Sequence, residues 1–233
     1  MTELLFRDDA YLKSCEATVT AANANTVELD RTVFYPTGGG QPGDVGRLVL
    51  ADGGALVVAD AVKGGSGVVH VLTPGAATPA VGAKLTAEID CERRHRLMRM
   101  HTCLHLLSAA LPYPVTGGSV GDGKGRLDFD IPEATLDKDA ISAKLNALIA
   151  ADHVVAATWI TDDELAAKPE LVKTMSVKPP TGAGKVRLIE VAGLDLQPCG
   201  GTHVRRTGEI GKVAVTKIEK KGKLNRRVVV EFA

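Results

Sequence analysis

Aromatic residues are scarce: only 3% of the 233 residues are Phe, Trp or Tyr. That is too few for the rows of stacking rings with which many proteins hold single-stranded nucleic acid. Net charge is missing as well, since 28 Lys and Arg balance 28 Asp and Glu. Global charge therefore gives no pull toward nucleic acid or toward a membrane. No apolar run approaches the roughly 20 residues needed to cross a bilayer. The opening "MTELLFRDDAYLKS" lacks the basic lead and apolar core of a secretory signal. Four cysteines (Cys15, Cys91, Cys103 and Cys199) are scattered without the spacing of a disulfide framework. The expectation is a soluble cytoplasmic monomer without membrane association, its thiols free or on a metal.

What is present reads as two regions. Up to about residue 90, alternating segments such as "CEATVTAANANTVELDRTVFY", "GRLVLADGGALVVADAV", "GVVHVL" and "AKLTAEID" are separated by Gly and Pro turns. Several short strands at that spacing predict a small β-barrel. His70, in mid-strand, has no task to suggest. At Cys91 the period changes: Leu97, Met100, Leu104, Leu107 and Leu111 recur at steps of three and four, predicting an amphipathic helix over 91–111. A second helix is predicted over 137–150, and the stretches around it return to β. The fold class is α+β, an N-terminal β-barrel domain over 1–90 followed by an α+β domain over 91–233.

The first helix carries "RMHTCLHLL", which puts His101 and His105 four residues apart. At 3.6 residues per turn both imidazoles share one stripe with Met98 and Ser108, about 100° round from the leucines. One histidine in a core is ordinary, whereas two at this spacing suit a metal. Cys103 falls on nearly the opposite face and reads as packing. Far downstream, "PCGGTHV" holds Cys199 and His203 about two glycines and Thr202. Three imidazoles and one thiolate form a good tetrahedral set for zinc, one ion per chain. A zinc protease is excluded, because its His-Glu-x-x-His needs a glutamate where this chain has Thr102.

With those motifs the chain closely resembles the alanyl-tRNA editing proteins, free-standing relatives of the editing domain of alanyl-tRNA synthetase. The likeness is carried by "HTCLHLL" at 101–107, "PCGGTHVRRTGEIG" at 198–211, "KGK" at 221–223 and "FYPTGGGQPGDVG" at 34–46. The last marks the longer form of the family, with a barrel ahead of the zinc-containing editing domain. The resemblance implies a hydrolase that cleaves the ester of seryl-tRNA(Ala), and of glycyl-tRNA(Ala), at the acceptor end of the tRNA. It places the zinc ligands on His101, His105, Cys199 and His203. It matches the glycine-rich motif to Gly38, Gly39, Gly40, Gln41, Asp44 and Gly46, with Gln41 as a polar contact to substrate. A threonine that touches the seryl hydroxyl in some relatives falls on Thr116, with Thr102 as the alternative. If four protein ligands fill the zinc shell, no position is left for hydroxide, which favours zinc as organiser of the pocket over source of the nucleophile.

Charge is uneven beneath the neutral total. Residues 128–170 sum to −7 and residues 205–227 to +7. Such runs are usually solvated faces. Here Lys217, Lys220, Lys221 and Arg226 follow closely on two zinc ligands and are placed to grip acceptor-stem phosphates. Two other classes stay open: a zinc-stapled tRNA-binding module without catalysis, and a general ester hydrolase of the peptidyl-tRNA type.

Overall fold

A computed structural model describes residues 1–65, 67–131, 136–173 and 184–233. Glu133 of the acidic run lies outside them. The chain divides into two compact units, Met1–His95 and Arg96–Ala233.

The first unit is a closed six-stranded barrel. After β1 (Glu3–Leu4) come β2 (Ser14–Asn23), β3 (Thr26–Leu29), β4 (Arg31–Thr32), β5 (Gly46–Leu50), β6 (Ala55–Lys63), β7 (Val68–Leu72) and β8 (Lys84–Ile89). The barrel closes in the order β2-β3-β7-β6-β5-β8, every neighbouring pair antiparallel. Inward and outward positions alternate, as the two-residue pleat requires. Val27 and Leu29, then Val68 and Leu72, then Leu85 and Ala87 point inward, and the filling is almost wholly aliphatic. A narrow barrel filled by Val, Leu and Ala needs few rings, which accounts for much of the aromatic scarcity.

His70 is the polar exception inside this core. It is completely buried, Nδ1–H donating to Val27 O at 3.0 Å and Nε2 accepting from the Thr32 hydroxyl at 2.8 Å. Burial pushes its pKa down to about 4, partly offset by the bond to Val27.

The second unit begins within helix α1 (Cys91–Ala110). It continues through β9 (Val115–Val120), β10 (Lys124–Asp130), α2 (Lys138–Ala150), β11 (Val155–Thr161), α3 (Asp162–Ala166), β12 (Lys185–Val191), β13 (Asp195–Pro198), β14 (Val213–Lys220) and β15 (Asn225–Phe232). One antiparallel sheet runs β14-β15-β10-β9 and a smaller one β11-β12-β13. Asp137 caps α2 by accepting from the Asp139 and Ala140 amides. A barrel followed by an α+β region is therefore the observed architecture.

Helix α1 departs from the amphipathic expectation. From Leu97 to Ser108 every residue but Arg99 is buried. The leucine stripe faces the larger sheet, where a Cβ on Gly125 would stand only 2.7 Å from Met100 Sδ. A glycine in β10 is what lets the helix lie that close. The histidine stripe is covered in turn by β13 and the turn after it, so neither face is open to water between Leu97 and Ser108.

A histidine held neutral in the folded barrel but free to charge when unfolded makes the protein acid-sensitive. Below pH 6.5 the unfolded chain takes up a proton that the fold refuses. Stability should therefore fall between about pH 6.5 and 4, by up to about 3 kcal/mol. Denaturant titrations across that range test this: His70→Gln should be less stable at pH 7 yet show a flatter slope, and an unchanged slope would acquit His70.

Candidate metal centre

Four side chains of the second unit converge. One ligand atom each from His101, His105, Cys199 and His203 lies within 4.8 Å of the other three. Cys199 Sγ is 3.6 Å from His101 Nε2 and 3.2 Å from His203 Nε2. In a zinc tetrahedron with Zn–S near 2.3 Å and Zn–N near 2.05 Å, the S···N edge is about 3.6 Å. The donor set thus has nearly the size as well as the chemistry of a zinc site.

The local structure explains the convergence. Helix spacing aligns His101 and His105, with ring centroids 5.5 Å apart. The Cys199–His203 turn leaves the end of β13 and is clamped from β12. Arg187 Nη1 donates to Cys199 O at 3.0 Å and to Gly201 O at 2.9 Å, while the Cys199 amide donates to Arg187 O at 3.1 Å. Gly200 does not adopt a left-handed backbone, and a Cβ there would meet nothing within 4 Å. The turn is therefore shaped by the arginine more than by that glycine's conformational freedom.

The rings are oriented from behind. His105 Nδ1–H donates to Asp195 Oδ2 at 2.9 Å, leaving Nε2 as the free ligand atom. Asp195 is held in turn by Lys173 Nζ at 2.5 Å and Gln197 Nε2 at 2.7 Å. His203 Nδ1–H points at Thr102 Oγ1, 3.1 Å away. Partners of this kind fix the tautomer and raise the basicity of a metal-bound imidazole. Thr102 is completely buried and also accepts from the Val204 amide at 3.3 Å. Its hydroxyl is thus engaged by the His203 ring and the Val204 amide.

Electrostatics favours the ligating states at two of the four positions. Burial raises the Cys199 thiol, but the charges and bonds of His101 and His203 outweigh it and hold the thiol well below its ordinary range. Burial, with the nearby His101, pushes His203 down to about 3. His105 goes the other way: burial lowers it, yet the bond to Asp195 and the Cys199 sulfur bring it up to about 9. A metal there competes with a proton for Nε2. Asp195 is opposed by burial but drawn down to about 2 by His105 and Lys173. Cys103 stands apart, pushed up to about 12 by burial alone, as an inert packing thiol.

The other anticipated residues are placed as follows. Thr116, in β9, donates to Asp128 O at 3.1 Å and accepts from Asn225 Nδ2 at 3.0 Å. In the barrel unit, Gly38 and Gln41 exchange backbone bonds of 3.0 Å each across Gly39 (φ 57°) and Gly40 (φ 82°). This turn has left-handed backbone at both central positions, which explains two of the three glycines. Gln41 is buried. Asp44 is buried too, and it accepts from Arg94 Nε (2.9 and 3.0 Å), from Arg94 Nη2 and from the Tyr35 amide at 2.6 Å. Its carboxylate is thus committed to holding the loop, while Gly39 and Gly40 remain exposed.

The basic tail is partly neutralised within itself. Lys217 and Lys221 both pair with Glu219, at 2.7 and 3.4 Å, and Arg227 forks onto Asp128 at 2.7 and 2.9 Å. Arg226 Nη1 donates to the carbonyls of Gly222, Lys223 and Asn225 and so braces the β14–β15 turn. Among the described residues Lys220 and Lys223 make no ion pair. The partners that the sequence did not reveal are Asp195, Lys173, Arg187 and Arg94. Only Asp195 has a local signal, standing four residues before Cys199 in the strand that delivers it.

Comparison with known proteins agrees with this geometry. Residues 186–229 match the family described as threonyl and alanyl tRNA synthetase second additional domain, and residues 7–93 match tRNA synthetases class II (A). The alanyl-tRNA editing protein AlaX-M of Methanosarcina mazei is 36% identical, over 98% of this chain and 95% of its own. That of Saccharolobus solfataricus is 34% identical over 98% of both. The alanine–tRNA ligase of Pyrobaculum aerophilum is 34% identical over 94% of this chain but only 25% of its own length.

Purified protein should contain one transition-metal ion per chain by elemental analysis. Cys199→Ala should lose both the metal and thermal stability, because metal binding contributes folding free energy. Asp195→Asn should keep the fold but bind metal about 10- to 100-fold more weakly. Full occupancy in Cys199→Ala would refute the site.

Proposed function

Since the chain belongs to the AlaX-M alanyl-tRNA editing proteins, we propose that it hydrolyses the ester of mischarged seryl-tRNA(Ala), and of glycyl-tRNA(Ala). The observation that carries this reading is the meeting of His101, His105, Cys199 and His203 at one point. Bound there, zinc would supply a fixed positive centre that orders the pocket and polarises groups near it. His101, His105, Cys199 and His203 would hold it, and if all four did so no position would be left for hydroxide, so the attacking water is assigned to the pocket. Asp195, Lys173 and Thr102 keep the imidazoles in register. In the barrel unit the exposed Gly39–Gly40 tip is braced through Asp44 and Arg94, with Gln41 shaping the turn beneath it. Lys220 is assigned to the phosphates, Lys217 and Lys221 being held on Glu219.

Selectivity follows from size. A pocket for alanine rejects serine, one hydroxyl larger, by only about 10²-fold, so a second and hydrolytic site is useful. That site cannot exclude alanine sterically, because alanine enters wherever serine fits. It must contain a polar group satisfied only by the seryl hydroxyl. A hydroxyl carries one donor and two lone pairs. Thr116 spends the donor on Asp128 and one lone pair on Asn225, which leaves one lone pair to accept from serine.

Four candidate donors at one point would also suit a second reading, a metal-stapled tRNA-binding module without turnover. Deacylation assays on Ser-, Gly- and Ala-charged tRNA(Ala) decide between them: the editing reading expects loss of Ser with Ala spared, the binding module no loss at all. Thr116→Val keeps the shape and removes the hydroxyl. It should slow Ser release about 2- to 13-fold and leave Gly release unchanged. Equal losses on both would show that Thr116 does not read the hydroxyl.

A further inference from the structure

One end of the sheet β14-β15-β10-β9 joins residues of that reading, Lys173 and Lys220, to others it leaves unused, Tyr113, Lys223 and Leu224. Here β9 and β15 begin, and β10 and β14 end. Main-chain bonds tie the adjoining loops into one rim: Val115 N to Lys173 O at 3.1 Å, Asp130 N to Pro114 O at 2.9 Å, and Ile131 N to Leu224 O at 2.7 Å. Along the rim the order is Lys173, the loop 111–114, Ile131, and the tip 221–224. Lys173 at one extreme reaches Asp195 and, through it, His105 of the metal centre. The tip at the other extreme carries Lys220 and Lys223. Between them stands Tyr113, 37% exposed, and beside the lysines Leu224, 48% exposed. These are two of the four large apolar side chains that the second unit leaves open among its described residues. Tyr113 lies between Pro112 and Pro114, whose fixed φ angles stiffen the loop. Its ring is thus presented with little conformational entropy left to lose on binding.

A strand of RNA that runs from the lysines toward Lys173, the residue tied through Asp195 to His105, would lie along this rim. Strands stand about 4.8 Å apart, so the start of β9 and the start of β15 are separated by about 10 Å, a span of one to two nucleotides. We propose that the rim is a subsite for the unpaired 3′ end of the RNA, with the terminal base stacked on Tyr113 and the preceding phosphates on Lys220 and Lys223. A single ring suffices for a single base, so the scarcity of aromatics is no obstacle. Leu224 gives the backbone an apolar edge to lie against. The inference rests on the tRNA-ester reading and adds to it which nucleotide is held and by what.

The test uses the full chain and two short RNA hairpins with the same unpaired 3′ strand, one ending in adenosine and one with an abasic last sugar. Wild type should prefer the adenosine-ended RNA. Tyr113→Leu should weaken that complex about 5- to 150-fold, the range for one stacked base, leave the abasic complex unchanged, and so abolish the preference. Tyr113→Trp should restore it, which a merely structural role for the tyrosine would not predict. Equal wild-type affinity for the two hairpins, or equal losses on both in Tyr113→Leu, would overturn the stacking assignment while leaving the editing reading intact. Wild type that binds neither hairpin but deacylates full tRNA would also overturn the subsite. Failure to bind or deacylate any RNA would overturn the editing reading itself.

Discussion

Everything in the second unit depends on closing about a hundred residues of chain onto one helix. His101 and His105 are set by helical geometry alone, but Cys199 and His203 arrive from the far end of another sheet. Loop closure over that length has a real entropic cost, although one that grows only slowly with length. Four donors drawn from two chain segments are the arrangement that a metal ion compensates, because its binding free energy is realised only in the folded state.

The convergence sets strict terms for its surroundings. A helix buried on both faces cannot hide three imidazoles and a thiol without satisfying every polar atom, since each unpaired group costs about 1–3 kcal/mol. Asp195, Thr102 and the clamp from Arg187 meet that demand, each by fixing an atom that the ligands leave over. Asp195 itself would be an expensive buried charge if it were alone, and Lys173 and Gln197 complete its shell. The barrel solves a smaller version of the same problem. His70 is paired on both nitrogens, and the buried Asp44–Arg94 pair is surrounded by backbone partners. Neutralising half of either set would leave the other half stranded.

How much of this was legible in the sequence follows from the range of each signal. The barrel strands and α1 declare themselves by period, and HxxxH and CxxxH by spacing, because these are relations between near neighbours. Such signals fail wherever the partner is distant and unpatterned. Nothing near Arg187 says that it will brace a turn at 199–201, and nothing near Arg94 says that it will meet Asp44. Helix α1 departs from its pattern for a related reason. A stripe of leucines beside a stripe of polar residues has the pattern of an amphipathic helix, yet histidines covered by a second layer are as buried as the leucines.

The basic tail shows how charge counting misleads and then informs. Summed along the chain, residues 205–227 look like a continuous cationic face. In the fold, an acid on the same strand and one on a neighbouring strand absorb much of it: Glu219 takes Lys217 and Lys221, and Asp128 takes Arg227. Exposed pairs of this kind contribute little to stability, but they decide where free positive charge remains. Among the described residues Lys220 and Lys223 at the turn between β14 and β15 keep theirs, at the sheet end whose rim leads back to His105. A turn with so few cations has little to offer a long duplex, which rewards many phosphate contacts. It suits the end of a strand, where few phosphates are within reach and the bases are unpaired.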